Sequence, residues 1–195
     1  KQLSTKRILT WGLEGARAIK HLHDHDIMHR DIKSPNFLIM GDRSMTMKLC
    51  DFGISIPDGS STQSTSNAQG TTRWKAPEVF LGEVSHRSDI FSYGAVLWEM
   101  IMCEIPYPEH QLDAKLMHQI LNSKEKLSPV PDEYPADLQQ LIEDCREFEK
   151  EDRPTIDNVI LRLTTLLQQH VEEGKYGGVI LIPFIIISSS SNTSI

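Results

Sequence analysis

The stretch His29-Arg30-Asp31-Ile32-Lys33-Ser34-Pro35-Asn36 decides how this 195-residue chain is read. It sets a carboxylate, an ammonium and a carboxamide within a few residues, and Asp51-Phe52-Gly53 follows shortly after. Asp31 is suited to orient or deprotonate a hydroxyl, and Lys33 to neutralise a phosphate. Asn36 and Asp51 offer oxygens of the hard kind that Mg²⁺ prefers. Those groups suit phosphoryl transfer, where positioning and charge neutralisation supply most of the catalysis.

Working outward, Ala76-Pro77-Glu78 completes an ordered series with the first two motifs. Each tripeptide alone is weak, but three in this order and at ordinary spacings carry a specific signal. The series His-Arg-Asp-x-Lys-x-x-Asn, Asp-Phe-Gly and Ala-Pro-Glu resembles that of the eukaryotic protein kinases. The wording Lys33-Ser34-Pro35-Asn36 is similar to the tyrosine-kinase-like group, especially mixed-lineage and related MAP kinase kinase kinases. The resemblance runs from about Leu3 to about Gln169. It implies a mainly α fold, the large C-terminal lobe of a kinase, with a small β-hairpin at the active site. The expected domain spans 1–170, with a tail over 171–195.

Composition is that of an ordinary globular protein, 39% hydrophobic and 24% charged. A net charge of -7 argues against nucleic-acid partners and against a polybasic membrane patch. Cys50, Cys103 and Cys145 are odd in number and lack metal-ligand spacing, so reduced thiols in a cytosolic or nuclear protein are expected. Cys50 directly precedes Asp-Phe-Gly. It reads as a small buried hydrophobe that in the family would face the nucleotide pocket.

Apolar residues Ile8, Leu9, Leu13, Ala16, Ile19 and Leu22 recur at three- and four-residue steps, which predicts an amphipathic helix from about Thr5 to Asp24. Ala18-Ile19-Lys20 within it mimics part of the kinase Val-Ala-Ile-Lys motif. That lysine belongs on a strand well before the catalytic loop, so Lys20 is rejected as a nucleotide ligand. Phe37–Met40 and Met45–Leu49 read as a hairpin turned at Gly41-Asp42. Pro57 to Gln69 is polar and aperiodic and reads as a mobile loop, the activation loop by resemblance. Asp89 to Met102 is apolar on nearly every face, as only a helix surrounded by protein tolerates. Further helices are expected over about Leu112–Asn122, Ala136–Arg146 and Thr155–His170.

The run Val179–Ile187 spans about nine residues and contains Pro183. It is well short of the roughly 20 that a transmembrane helix needs. It is β-prone and uncharged, an aggregation hazard if exposed. The leading reading is a non-native end, with an edge strand or a partner-docking tail as alternatives.

The resemblance assigns roles residue by residue. Asp31 would be the catalytic base, Lys33 would bridge it and the γ-phosphate of ATP, and Asn36 and Asp51 would hold Mg²⁺. Lysine at position 33 favours Ser/Thr over Tyr substrates. His29 and Phe52 would pack, with Gly53 completing the motif. Arg30 beside Asp31 is the feature of kinases switched by an upstream activating kinase, whose phosphate would pair with this arginine. Candidate acceptors are Ser60, Ser61, Thr62, Ser64, Thr65 and Ser66. Thr71 would bond Asp31 and Lys33, Glu78 would pair with Arg153, and Asp89 would receive backbone N–H groups of the catalytic loop. Lys75 stands where the family commonly has Met. Cys145-Arg146 stands for the usual Cys-Trp, and Lys150 for a Pro.

No Gly-x-Gly-x-x-Gly loop and no strand lysine precede His29, so the N-terminal β-lobe is expected to be absent and turnover by this stretch alone very low. With Lys1 at position one, the chain reads as a fragment. Two readings stand: part of a Ser/Thr kinase, or a non-catalytic lobe used for docking or regulation. A dual-specificity or tyrosine kinase is a further alternative.

Overall fold

In the computed structural model, described residues are 3–41, 45–51, 56–57 and 71–176. The first helix, α1 (Thr5–His23), starts where the Ser4 hydroxyl accepts the Arg7 N–H at 3.3 Å. Lys20, His21 and His23 in its last turn complement the negative end of the helix dipole. Its stripe of Ile8, Leu9, Leu13, Ala16 and Ile19 is buried as the periodicity predicts, with Leu22 only partly covered.

The short strand β1 (Ile27–Met28) leads into the catalytic loop, which passes through a 3-10 turn at Ser34–Asn36 into β2 (Phe37–Met40). β2 pairs antiparallel with β3 (Thr46–Leu49), Phe37 opposite Leu49 and Met40 opposite Thr46, as the expected hairpin requires. Asp42, from the expected turn, lies outside the described residues. Helix α1 pins this hairpin from below. The Trp11 indole donates to Met45 O at 2.6 Å, and Glu14 accepts the Met47 N–H at 2.7 Å. The ladder of β1 with β4 (Ile56–Pro57) was not anticipated, because two-residue strands carry no periodicity.

After a 3-10 turn at Thr71–Trp74 come α2 (Pro77–Phe80) and the central α3 (His86–Met102). Ile90, Phe91, Tyr93, Val96, Leu97, Trp98 and Ile101 of α3 are buried on all sides, and one core joins it to α1, α5 (Ala136–Cys145) and α6 (Ile156–Tyr176). The Tyr93 hydroxyl donates to Gly12 O, and Trp98 Nε1 donates to Ser128 O at 2.7 Å, so the two large polar tips are satisfied inside the core. Gly94 lets α5 approach: a Cβ there would stand 2.8 Å from Cys145 Cβ and Arg146 Cγ. α4 (Asp113–Ser123) buries Leu116 and Ile120 against Tyr107. Helix α6 runs on to Tyr176, past the His170 at which its apolar pattern suggests an end. The tail segment 177–195 lies outside the described residues. The fold is mainly helical with the expected hairpin beside the catalytic loop.

Candidate active site

The loop 29–36 is anchored from behind by α3. Asp89, 1% exposed near the start of that helix, accepts the backbone N–H of His29 at 2.9 Å and of Arg30 at 2.9 Å, one on each oxygen. The His23 ring stands 3.0 Å from the same carboxylate. Arg30 takes a left-handed backbone (φ 70°), which turns the chain so that Asp31 leaves the buried wall. Burial lowers the Arg30 guanidinium's pKa, and Asp89 partly opposes this. His29 is fully buried. Its Nδ1 accepts the Asp31 N–H at 3.3 Å, and its Nε2 is 3.2 Å from Cys50 O.

Asp31, Lys33 and Asn36 meet. The Asn36 amide donates to Asp31 O at 2.7 Å and to Asp31 Oδ2 at 3.2 Å, and Lys33 Nζ lies 2.7 Å from the same oxygen. The other oxygen, Oδ1, is buried and has no hydrogen-bond partner among the described residues. Lys33 Nζ also donates to Thr71 Oγ1 at 3.2 Å. The bond expected from Thr71 to Lys33 is made, and the one expected to Asp31 is not. Asn36 O accepts the Cys50 N–H at 2.9 Å and the thiol at 3.2 Å, so Asp51, exposed and at φ 63°, begins one residue from the point where the two segments join. Phe52, Gly53 and the candidate acceptors Ser60, Ser61, Thr62, Ser64, Thr65 and Ser66 lie outside the described residues.

Supports lie below. Arg153 forks onto Glu78 at 2.7 and 2.8 Å, with the guanidinium wholly enclosed. Burial alone would raise the Glu78 carboxyl, but Arg153 and the Ser88 hydroxyl outweigh it and hold Glu78 below the usual carboxylate range. Lys75 is half-buried. Burial lowers its ammonium's pKa while the charge of Asp31 opposes, so Lys75 shares the field of the site. Lys20 sits far off on α1, paired with Asp24 at 2.7 Å and Asp157 at 2.9 Å.

Two residues escaped the sequence reading. Glu99 on α3 accepts the Ser34 hydroxyl at 2.7 Å and the Trp74 indole N–H at 3.1 Å, tying the catalytic loop to the turn before Ala-Pro-Glu. Burial raises its carboxyl, and the two bonds pull it back in part. The signal was present: a carboxylate between Trp98 and Met100, in the apolar second half of the helix. Arg73 was missed as well. It donates to Pro106 O at 2.8 Å, and to the carbonyls of Tyr107 and His110.

A helical lobe whose loop joins Asp, Lys and Asn beside an exposed Asp has the arrangement of the large lobe of a protein kinase. A family model, protein tyrosine and serine/threonine kinase, matches residues 1–163. The chain belongs to that family. It is 33% identical to serine/threonine-protein kinase CTR1 of Arabidopsis thaliana over 88% of this chain and 21% of the relative. It is 36% identical to mitogen-activated protein kinase kinase kinase 12 of Rattus norvegicus over 80% of this chain and 17% of the relative. Dual specificity protein kinase shkD of Dictyostelium discoideum is 32% identical over 86% of this chain and 22% of the relative. The chain thus spans about a fifth of the length of these relatives.

Proposed function

We propose that residues 1–170 are the large lobe of a Ser/Thr protein kinase that moves the γ-phosphoryl group of ATP to a protein hydroxyl in signalling, with 171–195 as a tail outside the domain. The observation that carries this is the division of labour on Asp31: Oδ2 is held by Lys33 and Asn36, while Oδ1 is buried and unpartnered. A buried acceptor without a donor is costly unless a ligand supplies one, and a substrate hydroxyl is such a donor. Asn36 spends its NH₂ on Asp31, which leaves its carbonyl oxygen for a metal, and Asp51 adds an exposed carboxylate, so the donor set fits Mg²⁺. Bound with ATP, Mg²⁺ would neutralise charge on the phosphates. Asp31 would orient the hydroxyl and take its proton at Oδ1. Lys33, steadied by Thr71, would supply positive charge beside the transferred group.

The exposed Leu38, Ile39 and Met40 on β2 support a further lobe covering the hairpin. Phosphorylation within Ser60–Ser66, read by Arg30, is proposed as the switch, and the cytoplasm as the location. Among the described residues no helix is long and apolar enough to cross a membrane. A dual-specificity reading draws on the name of one relative, and Lys33 supports Ser/Thr preference against it. The test is a kinase assay of the complete protein beside Asp31→Asn, with phosphoamino-acid analysis of the product. Loss of activity by at least about 10²-fold and label on Ser or Thr are expected. Equal activity in the two proteins would remove Asp31 from its role, and label on Tyr would overturn the specificity.

A further inference from the structure

The loop after α3 carries a cluster that phosphoryl transfer does not use. It folds back with Tyr107 in a left-handed conformation (φ 55°), burying Tyr107 and His110 against α4. His110 is 7% exposed, and its Nε2 is buried without a hydrogen-bond partner. That nitrogen faces two carboxylates, Glu109 Oε1 at 3.1 Å and Glu125 Oε1 at 3.9 Å. The three ligand atoms lie within 4.8 Å of one another. Of the cations around the loop, Arg73 donates to the carbonyls of Pro106, Tyr107 and His110, Arg146 donates to Tyr107 OH, and Lys124 stands 3.6 Å from Glu149. Two carboxylates thus converge on one buried ring nitrogen, a set of three side chains able to ligate a metal.

We propose that Glu109, His110 and Glu125 form a binding site for a divalent ion of the zinc class. The chemistry selects the metal. An imidazole nitrogen suits Zn²⁺ and its neighbours and not Mg²⁺ or Ca²⁺, which take all-oxygen shells. Bonds of about 2.0–2.2 Å put tetrahedral ligands roughly 3.3–3.5 Å apart. The His110–Glu109 pair is already that close, and Glu109 is exposed on a loop, so the remaining adjustment is a side-chain rotation. Three protein ligands leave a fourth position open to water or to a donor from a partner. The ion would fasten the loop to the turn after α4, where Tyr107 OH already donates to Glu125 O at 3.3 Å. Arg73, bound to the carbonyls of Tyr107 and His110, extends this clamp to the turn that holds Thr71.

The test is calorimetric titration of the chelator-stripped full chain with Zn²⁺, with Co²⁺ absorption as a second readout. One equivalent should bind in the wild type, with a cobalt spectrum free of thiolate charge transfer. Glu125→Gln and Glu109→Gln are near-isosteric and should each weaken binding by at least about tenfold, since even residues behind a ligand cost 10–100-fold when changed. Cys103→Ser and His21→Ala, which remove an exposed thiol and a histidine of α1 whose ring lies 4.7 Å from that of His25, should leave the affinity unchanged. No binding by the wild type, unchanged affinity in Glu125→Gln, or loss in Cys103→Ser or His21→Ala would overturn the site.

Discussion

Replacing Arg153 with Ala should be among the most damaging single changes to this fold, and its cost should depend on pH. All five guanidinium N–H groups are used. Nε donates to Glu147 O at 2.7 Å, Nη1 to Glu78 Oε1 at 2.7 Å and Arg87 O at 3.0 Å, and Nη2 to Glu78 Oε2 at 2.8 Å and Phe148 O at 2.9 Å. The variant takes one donor from each of three carbonyls and leaves a buried carboxylate with the Ser88 hydroxyl, 2.7 Å away, and its own backbone N–H. Breaking one partner of such a pair costs about 3–5 kcal/mol. Against a typical domain stability of about 5–15 kcal/mol, that removes roughly a fifth or more.

The sign of the pH effect follows from Glu78. In the wild type its carboxyl is depressed, so its contribution is present above the unfolded carboxylate pKa and lost as pH falls through the folded value. Without Arg153, burial dominates and the carboxyl rises, so the variant loses stability as pH climbs through the carboxylate range. The gap between the proteins is therefore widest at neutral pH and narrows towards about pH 4. Urea unfolding followed by circular dichroism at both pH values measures it. Arg153→Lys, which keeps the charge but not the fork, should fall between. A neutral-pH loss below about 1 kcal/mol, or a gap that does not shrink on acidification, would refute the account of the pair as a buried, mutually dependent unit.

Two further outcomes follow from α3 and its neighbours. Glu99→Gln should flatten one part of the pH profile: the raised carboxyl makes the wild type lose stability as pH rises from the unfolded carboxylate value through the folded one, and the amide cannot, which urea unfolding across that window would show. Arg146→Trp should stabilise the fold by about 1 kcal/mol, read as a higher urea midpoint. It exchanges a guanidinium that burial disfavours, set 4.0 Å over the Phe91 ring, for an indole beside a cavity of about 380 Å³ lined by Trp98, Ile120 and Ile142. An unchanged or lower midpoint would mean that the bond from Arg146 to Tyr107 OH outweighs desolvation.

What could be read in the chain depended on whether a residue's role is local or set by distant packing. Asp31, Lys33 and Asn36 lie within six residues of one motif, which the kinase resemblance made legible as one site, and the three- and four-residue steps of α1 forecast its buried face. The pairing of β1 with β4 joins residues about 29 positions apart through two residues each, which leaves no pattern in either segment. Arg73 looks like any exposed loop cation until the carbonyls of the 106–110 loop are brought to it. Glu99 and Asp89 show the boundary best. Both are carboxylates in a helix that the core encloses, where an unpaired charge would be costly, so each must find donors. The sequence states that donors are required; only the fold shows that Asp89 finds them on the strand side of the catalytic loop and Glu99 on its far side and on Trp74. One rigid helix thus grips the loop at His29, Arg30 and Ser34, which bracket Asp31 and Lys33. The geometry of the candidate base is therefore set by α3, and changes at Asp89 or Glu99 should move Asp31 without touching it.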